Sequence, residues 1–149
     1  SLARHLVFKE AGLSVEDEIP GAGGTVADLL LAVHRSYLPE IRALRDVADV
    51  RGLAHITGGG LLDNIPRIMP EGLHVEIDRS AWETPPLFRW LADAGGVDDL
   101  EMHRVFNMGI GMVAIVPEGD SGKVPGGDYR WNPLRIGKVG DGEGGVKLT

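Results

Sequence analysis

The stretch from Leu53 to Asn64, which reads LAHITGGGLLDN, constrains this chain more than any other. Leu53 to Ile56 is an apolar run that predicts a short buried strand. Gly58, Gly59 and Gly60 follow, and a helix-like apolar run begins at Leu61. A strand that passes through glycines into a helix gathers several backbone N–H groups around one point. That point lies at the positive end of the helix and suits a phosphate. His55 and Thr57 alternate along the strand, so both can project toward the same mouth. A tight strand–helix turn with no ligand also uses glycines, so the spacing alone leaves both readings open.

Length and composition bound what surrounds this corner. At 149 residues the expectation is one domain with a real core. A net charge of −7, with no block rich in Lys or Arg, argues against nucleic acid as the main partner. The absence of Cys excludes a disulfide framework, a thiolate metal site and a Cys nucleophile. No apolar run approaches the roughly 20 residues of a membrane-spanning helix. A cytoplasmic protein with no membrane partner is therefore expected. The chain opens without Met inside a helical pattern, which suggests a piece of something longer.

The rest of the chain reads as punctuated helices and strands. Residues 2–11 have helical spacing and Gly12 suits the stop after them. The acidic stretch 14–24 is a solvated loop rather than a metal patch, because no ordered backbone holds Glu16, Asp17 and Glu18 together. Thr25 caps a helix with Asp28 in its first turn. Pro39 opens another, with Ile41, Leu44 and Ala48 on one face. Pro66 shortens the helix that follows the glycines. Leu73, Val75 and Ile77 alternate with polar residues as a one-faced strand, which leaves His74 on the solvent side.

Pro85 and Pro86 start a helix buried through Leu87, Trp90, Leu91 and Ala94 and ended by Gly95 and Gly96. Asp98 starts another that runs to Arg104. Residues 113–116 form a buried strand whose entrance carries Gly109 and Gly111, with Asn107 just before them. Those glycines allow a ligand to approach; equally, they allow a bulge in which Asn107 caps a turn. Residues 118–133 read as a mobile loop, and 134–139 and 145–148 as a final hairpin. Strands and helices do not alternate strictly, which favours an α+β layered domain over a doubly wound sheet.

Four segments then stand in one order: His55 to Arg67 (HITGGGLLDNIPR), Ile77 to Ser80 with Trp82, Pro86 to Leu91 (PLFRWL), and Phe106 to Met112 (FNMGIGM). Together they resemble the phosphoribosylformylglycinamidine cyclo-ligase family, the aminoimidazole ribonucleotide synthetases. The resemblance covers most of the chain, and only the C-terminal half of that enzyme. It implies an α/β/α layered α+β domain with a mixed sheet. It also implies that an N-terminal ATP-binding domain, which holds ATP and Mg²⁺ and much of a homodimer interface, is not in this chain.

The family closes an imidazole ring in de novo purine synthesis. ATP activates the formyl amide oxygen of formylglycinamidine ribonucleotide, a substrate nitrogen attacks that carbon, and phosphate leaves. By position, the resemblance assigns Thr57, Gly58, Gly59 and Gly60 to phosphate or substrate binding. It gives His55 a catalytic role, orienting the amide or handling a proton; the alternative is a strand histidine that only packs. Asn107, Gly109 and Gly111 would form a second wall of the cleft. Asn64 is a further candidate, unless it bonds only within its helix. No metal ligand is assigned to this chain.

One tract departs from the family. Its frequent form Leu-x-Pro-Thr-Arg-x-Tyr is here Leu31 to Tyr37, LAVHRSY. Arg35 and Tyr37 match, while Val33 and His34 do not. Arg35 either pairs with a phosphate or serves a surface role. Two alternatives to the cyclo-ligase stay open: another member of the same ATP-dependent superfamily, or a stand-alone phosphate- or nucleotide-binding module.

Overall fold

The computed structural model describes residues 2–131 and 133–149. The N-terminal helix α1, Leu2–His5, continues as a π-helical turn, Leu6–Glu10. Gly12 leaves it at φ +66°, as expected of a stop residue. Helix α2 spans Val26–Leu30 and opens with a reciprocal capping box between Thr25 and Asp28. Helix α3 spans Leu38–Val47, with Pro39 in its first turn and Leu44 buried.

Strand β1, Gly52–His55, leads through the glycines into helix α4, Gly60–Asn64. Pro66 ends that helix in a 3₁₀ turn, Pro66–Ile68, because it has no N–H to give to the ladder. Strand β2 is Leu73–Ile77. Helix α5, Pro86–Gly95, buries Leu91 and packs Trp90 against the core. Ala94 is exposed and Ala92 packs inward in its place, which corrects the expected stripe. Helix α6, Asp99–Val105, is capped by the Asp98 carboxylate on the N–H groups of Leu100 and Glu101.

Strand β3 is Met112–Ile115. The stretch expected to be a loop holds helix α7, Glu118–Ser121, and a 3₁₀ turn, Val124–Gly126; Asn132 of that stretch lies outside the described residues. Strands β4, Gly137–Asp141, and β5, Val146–Leu148, complete the chain.

The strands form two sheets. β1 pairs antiparallel with β3, His55 opposite Met112. The other sheet has the order β4-β2-β5, with β4 antiparallel and β5 parallel to β2. The expected terminal hairpin is therefore split. β4 and β5 flank β2 instead of pairing with each other, so both are laddered to the strand that carries the buried Val75 and Ile77. The fold is α+β with a mixed sheet, as expected.

Two apolar clusters support it. One joins Leu6, Val7, Ile19, Val26, Leu91, Met102 and Met108. The other joins Ala54, Ile56, Leu61, Ile65, Val75, Ile77 and Val113. β1 and the glycine turn rise from the second cluster, and α6 and the turn before β3 border the first.

Candidate functional site

The corner after β1 divides its three glycines among three tasks. Gly58 is exposed, and a Cβ there would meet nothing within 4 Å. Gly59 caps α4 at φ +98°, a conformation that favours glycine. Gly60 is buried at φ +56°, and a Cβ on it would fall 1.9 Å from the His103 carbonyl oxygen and 2.8 Å from that of Phe106. Gly60 thus lets α4 and α6 meet backbone to backbone, and Gly58 presents the open edge.

Asn64 holds this turn from beneath. It is only 5% exposed, and its Nδ2 donates to the carbonyls of Gly60 at 2.8 Å, Gly58 at 3.2 Å and Thr57 at 3.4 Å. The Thr57 hydroxyl donates to Asn64 Oδ1 at 3.5 Å. The side chain of Asn64 is spent on the turn and faces inward, so it shapes the corner from behind. The alternative of a bond only within its own helix is also set aside, since two of its acceptors lie before α4.

Residues 106–111 lie beside the corner. The β1–β3 ladder extends past its ends through the Ile56 N–H, which donates to the Gly111 carbonyl at 2.9 Å. Asn107 Oδ1 accepts from the Gly109 N–H at 3.0 Å, and Met108 adopts φ 51°. Asn107 thus caps a turn, as one of the two readings of these glycines expected. Trp82 Nε1 pins it by donating to the Met108 carbonyl at 2.9 Å. Gly109 sits against Pro85, and Gly111 is buried under Tyr37, whose hydroxyl would lie 1.9 Å from a Cβ there. Residues 55–60 and 106–111 are therefore side by side, and Thr57 and Gly58 open to solvent.

The mouth has a neighbour that spacing along the chain did not suggest. His34 and His55, both exposed, meet with Nε2 atoms 3.0 Å apart. Tyr37 stands edge-on to each ring, with centroids 6.0 Å from His34 and 6.4 Å from His55. Arg35 lies with its guanidinium 4.9 Å from the Trp131 ring centroid, a cation–π contact. The only advance signal was the departure at position 34; the meeting of residues 21 apart is a tertiary fact.

Charge at the corner is mixed. Asp63 lies across Gly59, with Oδ2 3.0 Å from where a Cβ would be. The Asp63 carboxylate thus stands on the Gly59 side of the corner and leaves the Gly58 side open. A groove of ≈ 520 Å³ lies elsewhere, between Pro66–Leu73 and Gly142–Gly145. At the glycine corner His55, Thr57 and Gly58 are exposed. His74 is half-buried against Gly140 and Gly142, 3.6 Å from Glu76, rather than freely solvated. Among the described residues no group of three or more His, Asp or Glu side chains is placed to hold a metal ion.

A family model described as AIR synthase related protein, C-terminal domain, matches residues 2–147. The chain belongs to this family. The AIR synthase related match runs beyond Val139, through β4 and most of β5.

Named relatives agree. The chloroplastic phosphoribosylformylglycinamidine cyclo-ligase of Arabidopsis thaliana is 45% identical over 148 residues, covering 97% of this chain and 37% of the plant protein. The phosphoribosylformylglycinamidine cyclo-ligase of Citrifermentans bemidjiense is 46% identical over 124 residues, 83% of this chain and 36% of its own length. That of Burkholderia cenocepacia is 54% identical over 99 residues, 66% of this chain and 28% of its own length. The chain spans little more than a third of the length of these curated relatives.

Proposed function

We propose that this chain is the substrate-side half of an ATP-dependent cyclo-ligase that converts formylglycinamidine ribonucleotide to aminoimidazole ribonucleotide in de novo purine biosynthesis. The reading rests on one observation: an open glycine edge at Gly58, with Thr57 and His55 beside it, in a chain of this family. ATP transfers its terminal phosphoryl group to the formyl amide oxygen. A substrate nitrogen then attacks the activated carbon, and the oxygen departs as phosphate.

In this reading Thr57 and the Gly58 and Gly59 N–H groups hold a phosphate, and Gly60 and Asn64 keep the turn in shape. His55 orients the amide or accepts the proton released as the ring closes. Asn107, Gly109 and Gly111 supply the second wall, and Gly111 seats Tyr37 beside His55. Arg35, engaged with Trp131, borders the mouth.

ATP belongs to a preceding N-terminal domain, to which this single C-terminal domain would dock as part of a homodimer. Magnesium requires several oxygen donors in near-octahedral array. We assign the ion, with ATP, to that N-terminal domain. No helix among the described residues is long and apolar enough to cross a membrane. A cytoplasmic location is part of the same proposal.

Titration of the chain with ribose 5-phosphate, followed by amide NMR, tests the site. The Gly58 and Gly59 amides should shift with a common saturation curve, and Thr57→Val should weaken it. Shifts confined to the groove at Pro66–Leu73, or none at all, would remove the binding role from the corner.

A further inference from the structure

We infer that His34 and His55 form a two-imidazole chelating site for a divalent first-row transition ion of the Cu²⁺ or Ni²⁺ class. This goes beyond the cyclo-ligase reading and does not depend on it. The two Nε2 atoms stand 3.0 Å apart. With metal–nitrogen bonds of about 2.0–2.1 Å, that separation corresponds to a nitrogen–metal–nitrogen angle of roughly 90–97°. Such an angle suits adjacent corners of a square-planar or octahedral site.

The pair is already assembled by the fold. His55 is carried on β1, opposite Met112 of β3. His34 is held in an exposed connection whose Tyr37 ring stands against both imidazoles. In the metal-free chain the contact is an N–H···N bond in which one proton is shared between the rings. The rings meet nearly end to end, with centroids 5.2 Å apart, so a metal ion takes the place of that proton only once each exposed ring turns its Nε2 lone pair off the line between the nitrogens, and solvent fills the remaining positions. Both side chains are exposed, so the ion reaches them without opening the core. An ion bound here would occupy the Nε2 of His55 and close the mouth beside Thr57.

The test is Cu²⁺ binding to the 149-residue chain in a non-coordinating buffer, by calorimetry and by electron paramagnetic resonance. One ion per chain should bind, with hyperfine structure from two imidazole nitrogens. Loss of an outer-shell partner costs a metal site 10–100-fold as a rule, so loss of a direct ligand in His34→Ala or His55→Ala should weaken binding at least about tenfold. His5→Ala, a distant exposed histidine, should change nothing. Ligation needs neutral imidazole, so binding should also fall away in acid.

Zn²⁺ should bind more weakly than Cu²⁺ and lose affinity in the same two variants. A one-nitrogen spectrum, unchanged affinity in both His34→Ala and His55→Ala, or loss of binding in His5→Ala would overturn the assignment.

Discussion

At Asn64 the two N–H bonds of one primary amide are shared among three backbone carbonyls of the glycine turn, of which that of Thr57 also accepts from the Gly60 N–H. Asn64→Ala leaves those carbonyls short of a donor in a buried place and should cost about 1–3 kcal/mol. Asn64→Asp keeps the shape but turns donors into acceptors and sets a carboxylate against carbonyl oxygens. It should cost more than the Ala change, on the order of 3 kcal/mol or above. Urea denaturation of both variants checks this, and an Asp variant as stable as the parent would contradict it.

Thr25 makes a smaller, pH-dependent contribution of the same local kind. Its hydroxyl donates to Asp28 at 2.7 Å and its N–H at 3.1 Å. The hydroxyl first, and the backbone N–H second, hold the Asp28 carboxyl below its ordinary 3.8. A carboxyl lowered in the folded state adds stability that is fully present above the unfolded value. That stability is lost as pH falls through the folded value. The relevant window therefore lies below about pH 4. Thr25→Ala should bring the Asp28 titration, read by carboxyl carbon NMR, back up toward 3.8.

Among the elements, β2 has the most to lose from its neighbours. Its Val75 N–H donates to the Gly145 carbonyl at 3.0 Å, and just beyond its end the Arg79 N–H donates to the Thr149 carbonyl at 3.0 Å. On its other edge it pairs with β4. Removing residues 146–149 should expose the β5-facing edge alone. Hydrogen exchange at the Arg79 amide, whose acceptor is deleted, should rise at least about tenfold, while the amides bonded to β4 stay slower. Equal loss on both edges would mean that the sheet behaves as one unit.

The elements also show which signals were readable in advance. Thr25, Pro39, Pro66, Asp98 and Gly96 each act within one turn of their own backbone, so their effects were legible. The pairing of β4 and β5 across β2 was not. A strand's own alternation names its buried face and says nothing about which partner lies beside it.

At the scale of the molecule, Leu31 and Val33 stand exposed in the connection that carries His34, and Leu38 stands exposed at the start of α3. Under the proposed function, an N-terminal domain packs on such apolar surface. The chain alone should then show no ATP-dependent ring closure. Activity should appear only when an N-terminal ATP-binding domain is supplied with it. Appearance of aminoimidazole ribonucleotide in the assay without that domain would refute the division of labour.

What the amino-acid order determined alone was the strand–glycine–helix corner, the helix caps and stops, the α+β class and the family motifs. Each of these depends on backbone freedom or side-chain periodicity within a few neighbouring residues. The tertiary structure alone decided that Gly60 is a packing glycine and Gly58 an open one, because the difference lies in whether the carbonyls of α6 stand against the α-carbon. It alone turned Asn64 inward and brought His34 onto His55. Contacts between residues distant in the chain depend on how the packed elements orient one another, and no local pattern encodes that.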